Sequence, residues 1–229
     1  FFGSFIDPKP ENPEKQGHAA IYFPVVGFIF GIGFMVSYYL VSRIANAQWS
    51  CFLVMGLMIW IFNGRMYFDC MGFVDAWNLR PGLEKDVVRG LLVFTLFTLK
   101  FLALTHLGEG WILRMLVLTP TLSCWSLVYL THSISSNLSN TKNRLVYASF
   151  VQVREFWGAT LFTTLIAGTF MELEGLFLLM FMSIWIAIFE RWVLLEKKFP
   201  LKHLAGTVME LNEILVLLGA IALRKGFIF

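Results

Sequence analysis

The chain has 229 residues, 58% of them hydrophobic and only 14% charged, with a mean hydropathy of +0.71. That is too much apolar surface for one soluble core, so composition excludes an ordinary soluble domain and points to a polytopic membrane protein. The formal net charge of +3 is too small for a nucleic-acid footprint, and no nucleic-acid partner is expected.

The stretch up to His18 is polar, holds Pro8, Pro10 and Pro13, and shows no cleavable signal pattern. Apolar windows long enough to cross a hydrocarbon core of about 30 Å then recur along the chain. They predict helices over 20–41, 49–62, 90–107, 111–130, 156–170, 175–195 and 206–223. The fold class is therefore all-α, a membrane bundle of about seven transmembrane helices forming a single integral domain over 1–229. The second and fifth windows are short. Pro24 and Pro120 either kink their helices or mark helix ends. The 24 Phe and 8 Trp suit lipid contact and interfacial belts.

Basic residues collect after the second, fourth and sixth helices: Arg65, Arg80, Lys85 and Arg89; Lys142, Arg144 and Arg154; Lys197, Lys198 and Lys202. The positive-inside bias places these loops and the N-terminus in the cytoplasm. Cys51, Cys70 and Cys124 form no Cys-x-x-Cys pair, which argues against a zinc site or a disulfide framework. His18, His106, His132 and His203 have no ligand spacing and read as ordinary interfacial residues.

A few acids stand where hydrocarbon should be. Glu210 and Glu213 are three apart, on one face of the last helix. Two such carboxylates must share a proton, a base or a metal; Lys100 and Arg114, which also lie within apolar helices, are the available bases. Asp69 and Asp75 follow the second helix and can either hold Mg²⁺ or lie solvated at the interface. Six residues apart, they point about 240° from each other on a helix. They reach one site only if the segment bends, which Gly72 permits.

Several stretches resemble the cobalamin synthase family, the adenosylcobinamide-GDP ribazoletransferases. Phe2-Gly3-Ser4-Phe5-Ile6-Asp7-Pro8-Lys9-Pro10 is similar to the family's entry segment, and Tyr22-Phe23-Pro24-Val25-Val26-Gly27 through Gly31 to its first helix. Gly64-Arg65-Met66-Tyr67-Phe68-Asp69 and Asp75-Ala76 fall where the family has its acidic motif. Lys100-Phe101-Leu102-Ala103-Leu104 is similar to its third helix, and Gly206-Thr207-Val208-Met209-Glu210-Leu211-Asn212-Glu213 to its closing one. Departures accompany the likeness. Arg65, Tyr67, Cys70 and Phe73 stand where the family has Gly, His, Gly and Asp; Cys124 replaces an Arg, and His203 an Asp.

The resemblance implies a transferase that joins ribazole to adenosylcobinamide-GDP with Mg²⁺. It implies metal or acid–base roles for Asp69, Asp75, Glu210 and Glu213, converging on one site, and phosphate contacts for Lys85, Arg89 and Lys100. The implied partners are membrane lipid and a nucleotide-loop corrinoid substrate. The motif losses motivate an alternative of another class: a catalytically degenerate homologue serving as a structural subunit of a larger membrane complex, with other membrane subunits as partners.

Overall fold

The computed structural model describes residues 18–62, 64–76, 85–137, 151–195 and 203–226. Among these residues every regular element is helical. A short 3-10 turn, Ala20–Tyr22, leads into α1 (Phe23–Ser42), followed by α2 (Ala47–Ile61), α3 (Arg65–Ala76), α4 (Lys85–His106), α5 (Glu109–Asn137), α6 (Val153–Leu195) and α7 (Leu204–Arg224).

Local chemistry sets several of the ends. Pro24 sits in the first turn of α1, where its missing N–H costs nothing, so it marks a helix start. Asn46 caps α2, its side chain accepting from Trp49 N at 3.0 Å. At the other end of α2 the chain turns through Gly64, which has φ 62°, and α3 leaves at an angle of 74°. The short second window is thus followed by a sharp break and a second short helix, α3. Irregular backbone at this depth is tolerated where it is enclosed by protein.

Five helical runs are long and apolar enough to cross a bilayer, or six when the broken pair is one span. One of them, Val153–Trp192, has 40 residues, about 60 Å as a straight helix and twice the hydrocarbon thickness. It does not run straight. Glu172 has φ 50° and ψ −124°, and a Cβ on Gly175 would lie 2.2 Å from the Ala167 carbonyl oxygen. In a continuous helix those two residues stand about 12 Å apart. The chain therefore reverses at Glu172, and its limbs, 153–171 and 173–195, are the fifth and sixth predicted passes.

The long helix α5 is the axis of the bundle, packed against α1, α6 and α7. Two of its buried small polar residues bond to their own helix: Thr121 Oγ1 donates to Val117 O and Ser126 Oγ to Ser123 O, both at 2.7 Å. Pro120 lies inside α5 without ending it. Gly27 and Gly31 let α1 approach at that point: a Cβ on Gly27 would lie 2.5 Å from Pro120 O, and one on Gly31 2.7 Å from Val117 Cα. This is the small-x-x-x-small contact by which membrane helices pack backbone to backbone. Outward, Ile29, Trp60, Phe94, Leu161, Leu165 and Ile188 are exposed, as lipid-facing side chains are.

The bundle has two ends. At one, His18 meets Glu155 at 2.7 Å and His132 meets the Val151 carbonyl at 3.0 Å, gathering the starts of α1 and α6 with the end of α5. The start of α7 lies at this end too. At the other, Arg224 donates to His106 O, joining the end of α7 to the α4–α5 turn.

Candidate functional site

Asp69 and Asp75, the two acids of α3, each have a partner on a different element, and α3 itself packs on α7 and α4. The result is a polar column along α3, from the bundle interior towards the end where α7 begins.

The innermost cluster is ionic. Lys100 Nζ on α4 donates to Glu210 Oε2 at 2.7 Å and to Glu213 Oε2 at 2.6 Å, both on α7. Lys100 is 6% exposed, Glu210 0% and Glu213 1%, so water does not dilute these contacts. The Tyr67 ring lies 5.7 Å from Nζ, within cation–π range. Glu210 Oε1 and Glu213 Oε1 have no partner among the described residues. A cavity of about 20 Å³, room for about one water, adjoins the cluster; Met55, Phe62, Gly64 and Tyr67 help to line it.

The middle of the column is a carboxylate–imidazole pair. Asp69 Oδ1 lies 3.1 Å from His203 Nδ1, with both side chains largely buried. Two glycines make the fit. A Cβ on Gly206 would lie 2.3 Å from Asp69 Oδ2, and one on Gly72 would lie 2.5 Å from the His203 ring. The carboxylate thus sits in a notch on α7 and the imidazole in a notch on α3. The outermost group is half exposed: Arg89 Nε is 3.1 Å from each Asp75 oxygen, and Arg89 Nη1 is 2.8 Å from Asp86 Oδ1.

This arrangement corrects three expectations. Gly72 does not bend α3, which is a continuous helix from Arg65 to Ala76; Asp69 and Asp75 diverge, one to α7 and the other to α4. The four carboxylates are strung along the column instead of converging on one site: Glu210 and Glu213 share Lys100, Asp69 meets His203 and Asp75 meets Arg89. Lys100 and Arg89 are held by carboxylates of this chain. Of the two bases available to the glutamate pair, Lys100 is the partner and Arg114 is exposed. The side chains of Lys85 and Phe73, and the entry segment up to Pro10, lie outside the described residues. Cys124 is fully buried against Gly27, where an arginine would have to displace α1.

Mg²⁺ requires near-octahedral oxygen ligands at about 2.0–2.1 Å. The described residues include no group of three or more His, Cys, Asp or Glu placed to hold a metal ion. At the glutamate pair the ammonium of Lys100 stands where a bridging cation would stand. The described residues therefore do not fit a resident Mg²⁺. What the column can do is hold a proton acceptor, the Asp69–His203 pair, and, on the far side of α3, a guanidinium at its open end.

His203, expected from the sequence to be an ordinary interfacial residue standing where the family has Asp, is instead the partner of Asp69. The signal lay in the spacing: His203 precedes Gly206 by one helical turn, which presents the ring and the notch for Asp69 on one face. Asn212, whose Nδ2 donates to Ser126 Oγ within the core, was likewise passed over.

Residues 2–85 match the family model described as cobalamin-5-phosphate synthase. No curated protein and no solved structure matches the chain. The matched stretch includes the Gly27/Gly31 packing face of α1, the break at Gly64 and the whole of α3 with Asp69 and Asp75. Over that stretch this integral membrane protein is similar to the cobalamin synthase family, a family of cobalamin biosynthesis.

Proposed function

We propose that the protein is a membrane transferase joining ribazole to adenosylcobinamide-GDP. The observation that supports this most is the position of α3: the helix within the matched stretch carries the acids of the polar column and reaches its open end. In this reading a ribazole hydroxyl attacks the phosphorus that bears the cobinamide. The bond from that phosphorus to the oxygen of GMP breaks, GMP leaves, and the hydroxyl proton passes to the Asp69–His203 pair. Arg89, with Lys85 one helical turn before it, neutralises phosphate charge after exchanging Asp75 and Asp86 for the substrate. Glu210 and Glu213 hold Lys100 and keep α4 and α7 in register. Catalysis then consists of positioning and charge neutralisation. Mg²⁺ belongs with the nucleotide phosphates here, and no resident metal site is assigned.

The open end of the column is the cytoplasmic one in this proposal, because Lys85, Arg89 and Arg154 are among the basic residues that the positive-inside bias places there. Cysteines introduced at Lys85 and Ser136 should react from the cytoplasmic side; labelling of either from the opposite side would overturn the orientation.

One observation favours the second reading, a structural subunit: Lys100 and Arg89, two of the bases expected on phosphate, are both held by carboxylates of this chain. Purified full-length protein given adenosylcobinamide-GDP, ribazole and Mg²⁺ decides between them. The transferase releases GMP, and Asp69→Asn slows it by about 10²-fold or more. Absence of turnover, with stoichiometric membrane partners co-purifying, establishes the subunit.

A further inference from the structure

We propose that Lys100 is the built-in cation of the Glu210/Glu213 pair and keeps divalent metal out of it. The inference concerns the buried ionic cluster and does not rest on the transferase reading. Three observations carry it. Nζ lies 2.7 and 2.6 Å from one oxygen of each glutamate, so the ammonium occupies the point that both carboxylates reach together. The whole cluster is buried, so neither a hydrated ion nor bulk counterions can compete for that point. The partners are spread over two helices, with Lys100 on α4 and the glutamates on α7, and the Tyr67 ring of α3 lies beside Nζ.

The same facts show what removing the lysine would uncover. Glu210 Oε1 and Glu213 Oε1 are buried and have no partner among the described residues, and the pair lines a cavity with room for about one water. Deleting the lysine side chain beyond Cβ would enlarge that space and leave two carboxylates without a base. That is a hard-oxygen site, suited to a small divalent ion that retains some of its own waters. A lysine at this point makes the cluster independent of metal supply; losing it would make the fold metal-responsive.

The test uses full-length protein in detergent and Mn²⁺ alone, with bound ion read from the loss of the free Mn²⁺ EPR signal. Wild type should take up no more Mn²⁺ than the Glu210→Gln/Glu213→Gln variant, which reports binding elsewhere on the chain. Lys100→Ala should gain one site, lost again when both glutamates are also changed to Gln, and Mn²⁺ should raise its Tm but not that of wild type. Should Lys100→Ala fail to fold, the comparison of wild type with the double glutamine variant still decides. Uptake by wild type of one Mn²⁺ more than the double variant would overturn the proposal. A folded Lys100→Ala that gains no site would overturn it too, since the lysine would then not occupy a cation position.

Discussion

Replacing Lys100 by Met removes one charge, leaves a side chain of similar length, and strands two acids. The magnitude follows from the geometry. Lys100 makes two ionic hydrogen bonds, of 2.7 and 2.6 Å, to groups 0% and 1% exposed. Each such bond is worth about 1.5–3 kcal/mol, and a buried pair broken by removing one partner typically loses about 3–5 kcal/mol. Met fills most of the stem's volume, so little of the change is cavity formation. We expect Lys100→Met to lose about 3–5 kcal/mol. Adding Glu210→Gln and Glu213→Gln should restore part of this loss, because neutral amides are cheaper to bury than uncompensated carboxylates. Unfolding in mixed detergent, followed by tryptophan fluorescence, measures all three proteins. A single variant within about 1 kcal/mol of wild type, the range of a surface ion pair, would refute the reasoning. So would a triple variant less stable than the single one, because the penalty would then not come from stranded charge.

The remaining expectations test the other packing claims. Gly27→Ala and Gly31→Ala should each cost about 1–3 kcal/mol by forcing α1 off α5, whereas Gly33→Ala, whose Cβ meets nothing within 4 Å, should be neutral or slightly stabilising; thermal unfolding separates them. Asp75→Asn should change stability by about 1 kcal/mol or less, and less still at high salt, since the Asp75 and Arg89 side chains are 29% and 35% exposed. Glu172→Gly should raise stability by about 1 kcal/mol by relieving a positive φ that a glycine adopts freely, and a loss there would contradict the reversal as described.

How much of this was legible in the residues differs from one feature to the next. The membrane bundle was, because a bilayer demands long apolar helices and composition reports that demand directly. The reversal inside 153–195 was visible too, as two apolar windows parted at Met171–Glu174, although the backbone conformation of Glu172 was not. Glu210 and Glu213 stood out because a spacing of three puts them on one helix face whatever surrounds it. Their partner was not decided, since Lys100 lies 110 residues from Glu210 and only the packing of α4 on α7 chooses it over Arg114. Asp69 and Asp75 failed in the opposite way. Their spacing of six already pointed them apart, and the bend that would bring them together, which Gly72 permits, depends on tertiary structure; that glycine instead makes room for His203. Local periodicity therefore determined which residues are helical and which share a face, because both follow from the geometry of a single helix. Only the tertiary structure decided which base each acid meets, because that depends on how closely two helices approach, and here glycines at 72 and 206 set the distance.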